Sequence, residues 1–282
     1  MFTDIENNYC LSGRDTMLGR HLVAELAKCG PQPEQTLFIC HGTESDERAS
    51  ELNLEATRRL LGSLGEALPR RVVYVSSWQV YSPDAGEGVD ESRPTFAWSA
   101  AGRSHAQTEL LLEKWAAENG VTLTVVRPAL MFGKGVDGDM LRLFNRVVRG
   151  HYVHIRGNDA RMSAITAVDA ARAIVKLAGT PGIFNLSDGR SHTWLSLAEA
   201  MTANVGAQKR MTTLPESWAR WIYRFFRWLP VVEETLSESA LAPVSRTLVL
   251  DNSRARQATG LEFHDTLEVI ARRDKDYPYE DA

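Results

Sequence analysis

The sequence predicts an α/β fold in which a doubly wound parallel sheet is followed by a smaller lobe. Three observations support this class. Short apolar, β-branched runs alternate with longer segments of helical periodicity. A glycine-containing turn joins the first run to the first helix, and 282 residues suffice for a large α/β domain with an added lobe. We divide the chain into residues 1–130 and 131–282, with the last elements of the sheet interleaved into the second part.

The elements of the first half follow in a regular order. Continuous apolar residues predict strands at 9–12, 37–40, 71–77 and 122–127. The predicted helices lie between Gly19 and Gly30 and at about 47–64, 100–118 and 138–149. The first helix ends where a glycine and then a proline stop it. From Pro128 onward the apolar runs are shorter, which indicates the smaller lobe.

The composition excludes several classes of protein. The chain is 24% charged and 44% hydrophobic and has a net charge of −4, which excludes collagen-like and disordered chains. Nucleic-acid binding is not predicted, because it depends on clustered Lys and Arg. Cys10, Cys29 and Cys40 have no C-x-x-C spacing, so neither a disulfide framework nor a zinc site is expected. We expect a cytoplasmic protein, since the start shows no signal pattern and no long apolar span occurs.

Seven short motifs follow one another in a characteristic order. They are Gly13-x5-Gly19, Val73-Tyr-Val-Ser-Ser77-x-x-Val80-Tyr81, Arg127-Pro128, Gly133-x-Gly135-Val136, Val168-Asp169, Asn185-Leu-Ser-Asp-Gly189 and Leu250-Asp-Asn-Ser253. Together they resemble the NAD-dependent epimerase/dehydratases of the extended short-chain dehydrogenase/reductase family. The resemblance runs from about residue 9 to about 272. It implies a Rossmann-like sheet, NAD(P) as cofactor and a nucleotide-sugar ligand in the cleft between the two parts.

The glycine turn departs from the pattern of that family. Its three glycines let the backbone approach the dinucleotide pyrophosphate at a helix N-terminus. The resemblance assigns Gly13, Arg14, Thr16 and Gly19 to this role, but Thr16 replaces the middle glycine. A Cβ therefore stands where the phosphate comes nearest. The alternative is a turn that only joins strand and helix.

The segment between the first two strands is too short for the adenosine half of the site. Six residues, 31–36, precede Leu37–Cys40, whereas a βαβ unit needs about 30. We prefer Leu37–Cys40 as the family's fourth strand, with the second and third deleted, because the helix around Asn53 resembles the one that follows the fourth. The alternative makes it the second strand and Glu44 or Asp46 the ribose acid. Deletion predicts poor or absent NAD(P) affinity.

The sequence carries only part of the family's set of catalytic residues. The family uses a Tyr as general acid/base, a Lys four residues later that lowers the pKa of that Tyr, and a Ser that polarises the substrate oxygen. By resemblance, Ala101 stands at the Tyr position and His105 at the Lys position, and Ser77 remains. We therefore predict a degenerate member without the usual redox catalysis that binds a nucleotide-type or small-metabolite ligand.

Two alternative functions stay open at this point. Ser77 with His105 or His41 would suit cofactor-independent acid–base chemistry, since histidine titrates near pH 7. The other alternative is an atypical NAD(P)-dependent nucleotide-sugar epimerase or reductase. Arg161 matches a family segment near the sugar-nucleotide diphosphate, which suits the planar donors of arginine; a surface ion pair is the alternative for this residue. Arg246 is a second candidate for the diphosphate.

The sequence also bears on metal binding, membrane contact and dimer formation. No metal is predicted, because His151 and His154 would point to opposite faces of a strand. The segment 218–230 has apolar residues at helical spacing, with arginines on the other side. We expect it to pack over the lobe, ahead of a partner surface, with membrane contact least favoured. The family's dimer helices correspond to 47–64 and 100–118, so the resemblance allows a homodimer.

Overall fold

The structure is a computed structural model that describes residues 2–4, 8–41, 47–66, 68–136, 138–205, 211–226, 228–229 and 245–272. The strands are β1 Phe2–Asp4, β2 Tyr9–Ser12, β3 Thr36–Ile39, β4 Arg71–Val75, β5 Gly86–Val89, β6 Thr122–Pro128, β7 Leu130–Phe132, β8 Val153–Arg156, β9 Arg161–Met162, β10 Ala164–Thr166, β11 Gly182–Leu186, β12 His192–Thr193, β13 Thr212–Pro215 and β14 Leu248–Leu250. The helices are α1 Met17–Cys29, α2 Glu47–Gly62, α3 Ala100–Asn119, α4 Gly138–Val148, α5 Ala167–Leu177, α6 Trp194–Asn204, α7 Glu216–Phe226, α8 Ser253–Thr259 and α9 Thr266–Ala271.

The main sheet confirms the predicted fold class. Its strand order is β1-β2-β3-β4-β6-β11, in which β1 is antiparallel to β2 and the other five strands are parallel. Helices cover both faces of the sheet. Because β11 comes from the second half of the chain, the last strand of the main sheet lies in sequence between elements of the smaller lobe.

The position of β3 decides between the two registers of the shortened segment. β3 pairs with β2 on one side and with β4 on the other. In dinucleotide-binding sheets the fourth strand lies beside the first, and the second lies on the far side of the first. β3 is therefore the fourth strand, and the alternative that made it the second is wrong. On the other side of β2 the described residues place only the short β1; Glu44 and Asp46 lie outside the described residues.

Two consecutive crossovers of opposite hand mark the place of the deletion. Leu22 of α1 shares the main core cluster with Phe38, whereas Leu60 of α2 packs with Leu37 and Ile39 in a second cluster. α1 and α2 thus cover opposite faces, although β2, β3 and β4 follow in one direction. One of the two crossovers therefore breaks the right-handed rule, which holds in about 98% of cases. The arrangement is explained if α1 kept its place on one face of the sheet when the second and third strands were lost.

The smaller lobe rests on the carboxyl ends of the main sheet. A four-stranded sheet has the order β12-β9-β14-β5, and β7–β10 and β8–β13 form two further pairs. Val73 of the main sheet, Leu130 of β7 and Trp194 of α6 belong to one core cluster. The Asn185 side chain donates to the Val89 carbonyl oxygen at 2.9 Å, which joins β11 to β5. The two sheets therefore meet above the ends of β4, β6 and β11.

Helix α7 packs differently from the expectation for 218–230. Ala219 is buried against β8, with Ile222 and Tyr223 beside it. Five large aromatic side chains are instead 39–73% exposed: Trp218, Trp221, Phe225, Phe226 and Trp228. The segment therefore packs on the lobe through Ala219, but the expectation that its aromatic face takes part in this packing is wrong. The side chains of Arg227 and Pro230 lie outside the described residues. Within the described ranges, no helix is both long enough and apolar enough to cross a membrane.

Candidate functional site

The glycine turn between β2 and α1 is closed by backbone contacts. Gly13 has a φ of +90°, and a Cβ on it would lie 2.5 Å from the Cys40 carbonyl carbon. A Cβ on Gly19 would lie 1.9 Å from the Gly13 carbonyl oxygen. Both positions therefore need glycine if α1 and β3 are to approach so closely. Arg14 is exposed on this turn.

Thr16 fills the centre of the turn with its own hydroxyl. Its Oγ1 accepts the Gly19 N–H at 3.0 Å and donates to the Gly13 carbonyl oxygen at 2.8 Å. In a dinucleotide-binding turn such N–H groups face the pyrophosphate. Arg20 then ties the turn to the loop at 133–136: it donates to the Asp15 carbonyl oxygen at 2.5 Å, and its Nη2 would lie 2.1 Å from a Cβ on Gly135. The Gly19 N–H of the turn is thus satisfied by the Thr16 hydroxyl.

The three positions that the resemblance assigns to catalytic residues lie near the end of β4 and on the first turns of α3, and all three are buried. Ser77, Ala101 and His105 are 2%, 5% and 6% exposed. The Ser77 hydroxyl accepts the Gln79 N–H at 3.2 Å. α3 begins against this turn, because a Cβ on Gly102 would lie 2.1 Å from the Gln79 carbonyl oxygen. The close approach holds the first turn of α3 beside Ser77.

His105 is hydrogen-bonded to a tyrosine of the sheet. Its Nδ1 lies 2.8 Å from the Tyr74 hydroxyl. Burial, with a smaller repulsion from His41, lowers the pKa of His105 to about 4, and burial raises the pKa of Tyr74 above its usual value. Neither group changes protonation near pH 7, so this pair does not reproduce a tyrosine activated by a cation.

The low pKa of His105 predicts a specific pH dependence of stability. Because the folded pKa lies below 6.5, the unfolded chain takes up the proton first, and stability falls as the pH drops from 6.5 to about 4. The lowering corresponds to about 3 kcal/mol. Urea unfolding across this range should show the wild type losing about that much more stability than His105→Gln. Equal pH dependence of the two proteins would contradict the assigned protonation.

His41 joins three elements instead of standing free as a base. Its Nδ1 lies 2.6 Å from the Ser12 hydroxyl at the end of β2, and its Nε2 lies 2.9 Å from the Thr57 hydroxyl on α2. Thr57 donates to the Asn53 carbonyl oxygen at 3.1 Å, so it accepts from Nε2, and Nδ1 accepts from Ser12. Burial lowers the pKa of His41, although a backbone bond to Asn53 opposes this. Both nitrogens of the neutral His41 ring are therefore engaged in hydrogen bonds.

A buried polar network under the cleft contains residues that sequence reasoning did not identify as part of a site. Arg127 donates from Nε and Nη2 to the Glu109 carboxylate at 3.0 and 2.6 Å, and Ser76 donates to the same carboxylate at 2.5 Å. Arg127 also donates to the Tyr81 hydroxyl at 2.8 Å, which donates to the Asn185 side chain at 2.9 Å. The network links α3 to the ends of β4, β6 and β11. The sequence offers no local signal for this pair, because Glu109 and Arg127 are 18 residues apart.

Tyr81 does not replace the missing tyrosine. Its side chain is fully buried, and its hydroxyl is engaged by Arg127 and Asn185. Burial raises the pKa of Tyr81, even though the Arg127 charge acts in the opposite direction. The phenol is therefore a structural link between strands.

The two arginines predicted to bind a diphosphate lie on neighbouring segments of the small sheet. The Arg161 backbone N–H donates to the Thr247 hydroxyl at 3.1 Å. Arg246 directly precedes Thr247 in the sequence, so the backbones of the two arginines lie on adjoining segments. The Arg161 side chain is half exposed; it donates to the Ser191 hydroxyl at 3.1 Å and lies 3.9 Å from Glu87. The guanidinium therefore remains accessible to an anion.

One group of possible metal ligands was not recognised in the sequence. Among the described residues, Asp188, His192 and Asp265 bring their ligand atoms within 4.8 Å of one another. His192 Nε2 lies 2.7 Å from the Asp188 carboxylate, and the Asp265 carboxylate accepts the Leu267 N–H at 2.9 Å as the cap of α9. These bonds give the cluster a structural role in holding α9. His151 precedes β8, and His154 is buried within it.

Comparisons with known proteins relate the chain to enzymes of one family. The model of the "NAD dependent epimerase/dehydratase family" matches residues 36–187, more than half of the chain, and begins at β3. A ceramide reductase of Caulobacter vibrioides is 24% identical over 245 residues, which is 77% of this chain and 76% of that protein. The UDP-glucose 4-epimerase of Thermotoga maritima, solved with UDP-glucose, has a TM-score of 0.73 at 18% identity and covers 94% and 96% of the two chains. RMD from Pseudomonas aeruginosa, complexed with NADPH, has a TM-score of 0.66 at 16% identity and covers 94% and 95%.

Proposed function

Because the chain belongs to the NAD-dependent epimerase/dehydratase family, we propose that it binds a nucleotide-type ligand between its two sheets without the redox chemistry of that family. The proposal rests on the residues at the two positions that the resemblance assigns to the catalytic pair, which are Ala101 and a His105 bonded to Tyr74. Alanine neither donates nor accepts a proton. A protein of this kind acts as a sensor or an accessory component in the metabolism of its ligand.

Proton transfer in the usual manner of the family lacks a group to perform it. The step needs a side chain whose pKa lies near the working pH. His105 has a pKa of about 4, and burial raises the pKa of both Tyr74 and Tyr81. The same values argue against acid–base chemistry by Ser77 with the two histidines, since His41 is bonded through both ring nitrogens.

A dinucleotide does not fit the residues at the glycine turn. Thr16 takes up the Gly19 N–H that a pyrophosphate would otherwise reach, and Arg20 joins the turn to Gly135. The neighbouring strand on the adenosine side is the short antiparallel β1. These features support poor or absent NAD(P) binding, so no reaction step is assigned to a nicotinamide.

The accessible arginines support a diphosphate-containing ligand. Arg161 presents a half-exposed guanidinium in the small sheet, and planar donors suit a diphosphate. The related Thermotoga epimerase was solved with UDP-glucose, which makes this compound the first probe. Arg246 is expected to assist from the adjoining segment.

Calorimetric titration with UDP-glucose, without added NAD(P), tests this proposal. We expect saturable binding that Arg161→Ala weakens by about tenfold or more, because a charge-assisted hydrogen bond contributes about 1.5–3 kcal/mol. Arg59→Ala is the matched control, since Arg59 is an exposed residue of α2 that pairs with Glu55. Binding that appears only after NAD(P) is added would contradict the proposal, as would equal affinity of the two variants.

A further inference from the structure

Helix α7 carries three distinct faces. Successive residues of a helix are about 100° apart, which places Ala219 and Tyr223 on one side, Trp218 and Phe225 on a second, and the arginines on a third. The first face packs against Val153 and Ile155 of β8. The other two faces are exposed. The lobe therefore holds the helix in place and leaves an aromatic face and a basic face outside.

The aromatic face is a continuous cluster. The Trp221 ring centroid lies 5.0 Å from that of Phe225 and 6.1 Å from that of Phe226. Trp218 and Trp228 extend the cluster along the helix and are 63% and 73% exposed. Tryptophan and phenylalanine on one side of a helix, with arginines on the polar side, are typical of helices that lie in a membrane interface.

Positive charge is concentrated around this face. Residues 140–156 and 211–229, which include β8, β13 and α7, contain seven arginines, one glutamate and no other charged side chain except histidine. The formal charge of these two segments is +6, whereas that of the whole chain is −4. β13 pairs with β8, and α7 packs on β8, so Arg156 at the end of β8 belongs to the same region as Arg220 and Arg224. The carboxylates of Asp159 and Glu199 act on His154 of β8. A negatively charged surface complements this region.

We infer that the aromatic and basic faces of α7 dock on the surface of an anionic lipid bilayer. The aromatic rings enter the headgroup boundary while Arg220 and Arg224 remain at the phosphates. A second copy of the chain fits less well, because it would bring two regions of like charge together. The helix lies on the surface and does not cross the bilayer, in keeping with its 11 residues.

Flotation of the full chain with lipid vesicles tests the inference. We expect binding to phosphatidylcholine vesicles that contain phosphatidylglycerol, weaker binding to phosphatidylcholine alone, and release by salt. The triple variant Trp218→Ala, Trp221→Ala, Phe225→Ala should bind about tenfold more weakly or worse, since each ring loses buried apolar area. Arg224→Gln should cost about fivefold through the loss of one charge.

A matched control separates docking from general surface hydrophobicity. Phe96→Ala removes a ring that is 72% exposed elsewhere in the chain and should leave flotation unchanged. The inference is overturned if the wild type does not float, or if the triple variant floats as the wild type does. It is also overturned if sedimentation without lipid shows a dimer that the triple variant converts to a monomer. The inference is likewise overturned if the wild type binds no vesicles and an acidic protein binds this face of α7 instead.

Discussion

Glu109→Gln is expected to lower the free energy of unfolding by about 3–5 kcal/mol, because it leaves the buried Arg127 charge without its partner. Arg127 is 3% exposed, and its two bonds to the carboxylate measure 3.0 and 2.6 Å. The hydrogen bond from Ser76 is weakened by the same change. Urea unfolding of the two proteins at pH 7 measures the loss.

A surface pair on the same helix provides the control. Glu118 lies 3.9 Å from Lys114, and both side chains are exposed. Glu118→Gln should change the free energy of unfolding by less than about 1 kcal/mol. The double change Glu109→Leu with Arg127→Met should cost less than Glu109→Gln alone, because it removes both charges. Equal losses for Glu109→Gln and Glu118→Gln would contradict the assigned pair.

Gly19→Ala is expected to destabilise the protein by about 3 kcal/mol, although alanine is the better helix former. The added Cβ would lie 1.9 Å from the Gly13 carbonyl oxygen and 2.8 Å from that of Arg14. The start of α1 would have to move away from the turn, which also breaks the Thr16 cap. Thermal and urea unfolding both report this loss.

Gly62→Ala is the matched change at a second helical glycine. Nothing lies within 4 Å of a Cβ built on Gly62, which ends α2. We expect Gly62→Ala to leave the free energy of unfolding unchanged or to raise it by less than about 1 kcal/mol. If Gly19→Ala were as harmless, the close packing of the turn would not hold in solution.

Much of the fold follows from local signals in the sequence. The run at 37–40 is predicted as a strand because it is apolar, and as the fourth strand because the helix around Asn53 resembles the one that follows the family's fourth strand; the strand order confirms this. The family motifs also located Ser77, Ala101 and His105 in one place. The functional roles assigned to these residues stay a prediction.

The parts that sequence reasoning missed depend on long-range contacts. Glu109 looks like any helix glutamate until Arg127, 18 residues later, is placed opposite it by the sheet. The bond between His105 and Tyr74 likewise requires α3 to lie on β4. For α7 the periodicity predicted an amphipathic helix, but it did not tell which face the lobe covers. Ala219 takes that contact, and the larger rings remain exposed.

Titration of the chain with NAD+ and with NADPH tests the central claim most directly. The claim is that the second and third strands are lost and that Thr16 closes the turn, so we expect no saturable binding at millimolar concentrations. Thr16→Gly, which restores the middle glycine, should remain without binding, because the adenosine side is still missing. A dissociation constant in the micromolar range for the wild type, or a gain to that range on Thr16→Gly alone, would contradict the account.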